Sequence, residues 1–540
     1  MNKKTWYTSI VTLLIVSFML IGCSNDNANS ETDNGETKAS KEEKVLIYGR
    51  GGDTVSLDPA VVNDGQSYKV IQNIYDTLVR YGDMDTDITA GLADDWNISD
   101  DGLTYTFTLR EGVTFHDGTD FNAEAVVTNF EKWMSPSEEN AGKYAVYATL
   151  FGGYKGDEGH VIDSVVAKDE STVVFTLNQV QPLFLDYLTN TALSIGSPTA
   201  MEEQGDAFGE NPVGTGPFVF EEWKRNNRIV LSKNENYYLE GLPKLDGVIF
   251  RVIPDNSARL NALISGEIDI MDGLDPNNVS QIEADEYLNV FERPSMNTGY
   301  LGFTVTREPF DDPLVRQALS HAIDRESIIA AFYNGYGTPA KNIAPPSAFG
   351  FNDDVEAFDY DLEKAKALLE EAGYGDGFEM DLWAMPVSRP YMPDANKVAE
   401  TIQASLAEIG VTANIQSAEW GTYLEDVVAG EYDSFLLGWT GDVPDANSWL
   451  SALLHKESIG SLNSAQYDSD EVSELISDAR STADQDVRSE LYNEAFEILR
   501  NDVPLAPIVH AKPVLAGGTN VVDFFPHATS SSFLYKTDLK

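Results

Sequence analysis

A single cysteine, Cys23, stands in 540 residues, so no disulfide within the chain can staple the fold. Positive charge is scarce too: 36 Lys and Arg face 88 Asp and Glu, a formal net charge of −52. That balance excludes nucleic acid as a partner, because phosphate contacts need clustered Lys and Arg. The acid excess keeps a surface protein soluble and says little about fold. The six histidines, His116, His160, His321, His455, His510 and His527, form no His-Glu-x-x-His motif and no close pair, so neither a metal site nor a cofactor is expected. Gly49-Arg50-Gly51-Gly52-Asp53 and Gly214-Thr215-Gly216-Pro217 lack the Lys-Ser/Thr of a phosphate loop and the spacing of a dinucleotide fingerprint, and are read as turns. No Gly-x-Ser-x-Gly occurs, and no cysteine is placed for catalysis. No catalytic residue is therefore assigned; a cell-surface hydrolase stays as the alternative from a different class.

What is present begins with an export signal. Lys3 and Lys4 precede an uncharged apolar stretch, Ile10 to Ile21, that closes on Leu20-Ile21-Gly22-Cys23. The order basic, apolar, small is that of a cleaved signal. Trp6 to Gly22 gives 17 uncharged residues, short of the roughly 20 that span a bilayer as a helix. Leu-Ile-Gly-Cys resembles the lipobox of bacterial lipoproteins, which implies a diacylglycerol on Cys23 and anchoring by two acyl chains. Ser24 to Lys44, rich in Asn, Asp, Ser, Thr, Glu and Lys, cannot bury a core and is expected to be a disordered tether. The remaining length suggests two to four domains.

From Val45 to about residue 255 the chain reads as strand-rich, with runs at Val45–Gly49, Leu103–Arg110, Val161–Val166, Thr172–Leu177, Ile229–Ser232 and Val248–Ile253 and one helix at Glu124–Met134. Helix and strand then alternate. Asp312-Pro313 caps a helix bearing Leu314, Ala318, Leu319 and Ala322, and Asp361 caps another that ends at Gly373. The clearest unit is a strand at Phe378–Met385, a helix carrying Val398, Ile402, Leu406 and Ile409 and stopped by Gly410, and a strand at Val411–Ser417. Such a crossover makes its two strands parallel. A helix at Thr422–Val428 and a strand at Ser434–Trp439 follow.

In open α/β sheets ligands bind beyond the carboxyl ends of the strands. Two loops there carry opposite charges: Pro386-Val387-Ser388-Arg389-Pro390-Tyr391 and Gly438-Trp439-Thr440-Gly441-Asp442. A guanidinium holds a carboxylate through two parallel hydrogen bonds, and an aspartate accepts from an ammonium. Arg389 and Asp442 would match the two ends of a free peptide; the alternative is that both are solvated loop charges or a surface ion pair, and spacing does not decide. Trp383, Tyr391, Trp420, Tyr423, Trp439 and Trp449 supply aromatic walls or simply core.

The runs Tyr75-Asp76-Thr77-Leu78-Val79, Asp101-Gly102-Leu103-Thr104-Tyr105-Thr106-Phe107, Gly112-Val113-Thr114-Phe115-His116-Asp117-Gly118, Asn211-Pro212-Val213-Gly214-Thr215-Gly216-Pro217-Phe218 and Asp312-Pro313-Leu314-Val315-Arg316-Gln317-Ala318 resemble the family 5 extracellular solute-binding proteins of peptide and nickel importers. Asp381 to Val387 with Arg389-Pro390-Tyr391, together with Gly438 to Asp442, is most similar to the dipeptide binders; Val443-Pro444-Asp445 departs from them and leaves the side-chain preference open. The resemblance implies an α/β, type II periplasmic-binding fold, two lobes closing on a cleft with an extra domain on the first. Expected divisions are signal 1–22, tether 23–44, domain I from 45–68, 217–295 and 513–540, domain II 69–216 and domain III 296–512. Ligand contacts are expected from Arg389 (carboxylate), Asp442 (ammonium), Gly438, Trp439, Thr440, Trp420, Tyr391, Gly52 and Asp53. The implied role is a lipid-anchored receptor on the outer face of the cell membrane, monomeric, delivering a dipeptide or short peptide to ABC permease subunits and their ATPases. Glutathione, haem or a nickel chelate on the same scaffold is the alternative, and a receptor that senses peptide without delivering it is a further one.

Overall fold

Alternation builds the first sheet that the eye can follow. In Thr104–Leu109, Tyr105, Phe107 and Leu109 are buried and the threonines between them are half-buried or exposed, the period of two that gives a strand one dry face. This strand lies in an antiparallel four-stranded sheet ordered 93–98, 104–109, 172–177, 162–169. Helix Ala123–Met134 covers it, burying Val126, Phe130 and Trp133 behind an N-cap in which Asn122 accepts from the Ala125 amide. The computed structural model describes residues 43–138, 140–441 and 443–540. Cys23, the signal, the tether up to residue 42, and Asp442 thus lie outside the described residues.

Two larger sheets carry the cleft. One has seven strands, ordered 288–292, 514–518, 270–271, 45–50, 247–252, 228–233, 218–224. Strand Val45–Arg50 runs parallel to Gly247–Val252 and to Ile270–Met271, and both 270–271 and 288–292 run antiparallel to 514–518. The carboxyl ends of 45–50, 247–252, 270–271 and 288–292 therefore share one edge. The other sheet has six strands, ordered 337–339, 505–511, 297–303, 434–440, 379–384, 412–416. Here 379–384 is parallel to both 412–416 and 434–440. Asn297–Phe303 runs against 434–440 with Asn297 opposite Thr440.

The expected crossover is present: strand Glu379–Ala384, helix Ala395–Glu408 burying Val398, Ile402 and Leu406, a left-handed Gly410, and strand Thr412–Gln416 parallel to the first. Asp312 and Asp361 cap their helices through the amides of Leu314 and Lys364 at 2.8 and 2.9 Å.

The chain passes between the two large sheets twice, at 293–296 and at 512–513. The passages lie side by side, the Arg293 amide donating to the Pro513 carbonyl at 2.9 Å. Asn297 clamps them further, donating to the Ala511 carbonyl and accepting from the Ala511 amide. Both passages join carboxyl-end edges, so the strand-end loops of the two sheets face one another across a cleft whose floor is this pair of crossovers.

Before residue 255 the expected helix, present at Ala123–Met134, is joined by shorter ones at Gly65–Ile71, Ala145–Phe151, Phe184–Leu188 and Pro198–Gln204. Each of the shorter ones spans two turns or fewer, too short for a 3.6-residue period to show above the surrounding strand pattern.

Candidate functional site

The loop that follows Glu379–Ala384 is pinned by its own backbone. Arg389 and Met392 exchange amide-to-carbonyl hydrogen bonds at 3.1 and 2.9 Å, closing a turn that presents Arg389 outward, exposed. Its guanidinium carbon lies 5.7 Å from the centroid of Trp420, within cation–π range. Trp420 opens helix Trp420–Val428 and stacks on Tyr423, 5.8 Å away at 19°. Tyr423 is core, its hydroxyl donating to the carbonyls of Leu436 and Trp383. A rigid platform therefore backs the arginine. Among the described residues no carboxylate pairs with it.

Tyr391 locks the turn onto the sheet. Its carbonyl accepts from the Tyr333 hydroxyl at 2.8 Å, and its ring lies over Gly438, where an added Cβ would come 2.2 Å from the Tyr391 ring. Gly299, directly opposite Gly438 in register, meets the Tyr391 carbonyl oxygen in the same way, at 2.3 Å. Two facing glycines thus form the slot that the turn needs. Burial raises the pKa of the Tyr391 hydroxyl, and the neighbouring Arg389 opposes the shift.

Trp439 is half-buried and donates through Nε1 to the Ser448 carbonyl at 2.8 Å; Thr440 is exposed at the strand end. The structure thus gathers Arg389, Tyr391, Trp420, Gly438, Trp439 and Thr440 at one edge of the six-stranded sheet. Gly52 and Asp53 stand at the carboxyl end of Val45–Arg50, in the other sheet. The Asp53 carboxylate is already engaged by Arg50, Trp223 Nε1 and the amides of Thr54 and Asn226. Among the described residues, no hydrogen bond or ring contact joins Gly52 or Asp53 to the Arg389 group.

Sequence reasoning passed over two buried charge clusters. In the first, Asp445 accepts from Arg488 and from the Tyr492 hydroxyl. Asp186, which accepts from Tyr81 at 3.0 Å, lies within electrostatic reach of both Asp445 and Arg488. Burial, then the Asp445 charge, pushes the Asp186 carboxyl up to about 7, against Tyr81 and Arg488. Arg488 also lines a cavity of about 540 Å³ with Gln181, Leu183, Asn447, Arg480 and Tyr492. In the second cluster Lys69 pairs with Asp272 at 2.7 Å, near Arg259 and Arg293. Only the i, i+4 pair Arg488 and Tyr492 on one helix hinted at either. The partners come from distant parts of the chain.

Two lobes, each an α/β sheet, joined by a double crossover and facing each other through strand-end loops, define a solute-binding protein of the type II periplasmic-binding fold, with the four-stranded sheet as an additional part. Residues 87–461 match the family described as bacterial extracellular solute-binding proteins, family 5 middle. The chain is 36% identical over 490 residues to the dipeptide-binding protein of Escherichia coli, covering 88% of this chain and 90% of that protein. It is 35% identical over 520 residues to heme-binding protein A of Haemophilus influenzae, covering 93% of each. It superposes with a TM-score of 0.68, at 35% identity and covering 92% of this chain and 98% of the other, on the ABC transporter-associated periplasmic binding protein DppA from Helicobacter pylori in complex with the peptide STSA. The chain belongs to the family 5 bacterial extracellular solute-binding proteins.

Proposed function

We propose that this chain is the receptor of an ABC importer for dipeptides or short peptides, tethered to the outer face of the cell membrane through lipid on Cys23 and docking as a monomer on permease subunits. Arg389 takes the peptide carboxylate and Asp442 its ammonium. The domain divisions stay as read from the sequence: 45–68, 217–295 and 513–540 as domain I, 69–216 as domain II and 296–512 as domain III. The observation that carries the reading is Arg389 itself: an exposed guanidinium, held over Trp420 at a strand end, with no carboxylate partner among the described residues. A bidentate acceptor is what such a group lacks. The similarity to the dipeptide-binding protein of Escherichia coli supports the same ligand.

The test is thermal unfolding of the purified chain against dipeptides, tripeptides, end-blocked dipeptides, glutathione, haem and nickel chelates. A ligand at 100 times its dissociation constant adds about 2.7 kcal/mol of stability. Free dipeptides are expected to raise the melting temperature, and blocking either end is expected to abolish the rise. A response to blocked and free peptides alike would remove Arg389 and Asp442 from the assignment. A second reading, haem, is favoured by the equally extensive similarity to heme-binding protein A; a Soret shift on haem addition without any dipeptide response would select it.

A further inference from the structure

The carboxyl-end edge of the seven-stranded sheet concentrates positive charge in a chain that is otherwise strongly acidic. Arg50, Lys69, Arg259 and Arg293 are all buried there, with relative exposures of 0, 8, 5 and 7%. Three of the four donate to a carboxylate or a carbonyl, with Arg50 Nε left buried and unpartnered. Arg50 donates to Thr54, to the Gln66 carbonyl and to Asp53; Lys69 pairs with Asp272; Arg259 donates to the carbonyls of Asp272, Ile253 and Pro254. Arg293 is the exception. Its Nε and Nη2 are buried and have no acceptor.

Asp272 is the carboxylate that Lys69, Arg293 and Arg259 share. Asp255 also acts on Arg259, so the cation left short is Arg293, whose two buried nitrogens without acceptors are costly unless an anion completes them. The location says where that anion comes from. Arg293 follows strand Leu288–Glu292 and opens the 293–296 crossover, so it sits at the cleft floor, on the lobe opposite Arg389.

We propose that Arg293, backed by Lys69 and Arg259, is an anion seat that receives a second carboxylate of the captured ligand, making peptides with a Glu or Asp side chain the preferred substrates. This rests on the peptide reading above and adds to it. The end-to-end clamp of Arg389 and Asp442 is indifferent to side chains; the seat on the facing lobe is not. A ligand bridging both arginines would tie the lobes together.

The experiment is calorimetric titration of the full-length chain and its Arg293→Met variant with Ala-Ala, Ala-Gln, Ala-Glu, Glu-Ala and reduced glutathione. In the native chain at least one of Ala-Glu and Glu-Ala is expected to bind at least about tenfold more tightly than Ala-Gln, which has the same shape without the charge. In Arg293→Met that ratio is expected to fall to near one. A native ratio near one overturns the seat even if the variant fails to fold, and so does a ratio that survives in the variant. Ala-Ala binding alongside either result leaves the peptide reading standing. Glutathione bound alone, and lost in Arg293→Met, keeps the seat and overturns the peptide reading. Binding of none of the five overturns both.

Discussion

At the residue scale, glycine does as much as charge to shape the candidate site. Gly438 is buried in strand Ser434–Thr440 under the Tyr391 ring, so Gly438→Ala must push the turn bearing Arg389 off the sheet. Overpacking of this kind costs about 1–3 kcal/mol. The variant is expected to lose that stability in a thermal melt and to lose ligand affinity with it; unchanged affinity would detach Arg389 from binding. Asp186 gives a pH test. Its folded-state pKa of about 7 lies above the ordinary aspartate value, so between about pH 4 and 7 the folded protein keeps a proton that the unfolded chain has released. Stability from this group is present at acid pH and lost as pH rises through 7. Asp186→Asn is expected to match the native chain near pH 4 and to exceed it by on the order of 2 kcal/mol at pH 8. Equal melting temperatures at pH 8 would show that folding does not raise the Asp186 pKa. The exposed, strand-end position of Arg389 was legible from the sequence, because a charge between prolines after a strand belongs to a loop. Asp445 and Arg293 were not, because a buried charge is defined by neighbours tens to hundreds of residues away.

At the element scale, what could be read was what repeats or is capped locally. The strand, helix and strand of Glu379–Gln416 announced themselves through alternation, a 3.6-residue stripe and a glycine stop. Asn297–Phe303 and Leu505–Ala511 escaped notice, and both are buried along their whole length. A strand dry on both faces has no alternation to detect. Caps carry a measurable share of the helices. Asp361 accepts from the Lys364 amide at 2.9 Å at an exposed helix start, so Asp361→Ala is expected to cost about 1 kcal/mol while peptide affinity stays unchanged. A loss of affinity would mean that helix Leu362–Glu371 reports to the cleft.

At the scale of the whole molecule, the proposed receptor would work by capture by closure, in which a solute held in the cleft draws the two lobes together. Each large sheet has its own buried core, while residues 293–296 and 512–513 join them. Those segments are short and hydrogen-bonded to each other, which suits a hinge that absorbs rotation in few residues. A solute can favour the closed arrangement only through contacts made to both lobes at once. In the reading proposed above, Arg389 on one lobe and Arg293 on the other make those contacts. Small-angle scattering of the native chain is therefore expected to show a smaller radius of gyration with a saturating acidic dipeptide than without it, and Arg293→Met is expected to show less contraction at equal occupancy. Saturation without contraction would leave a receptor that binds on one lobe alone, and capture by closure would have to be given up.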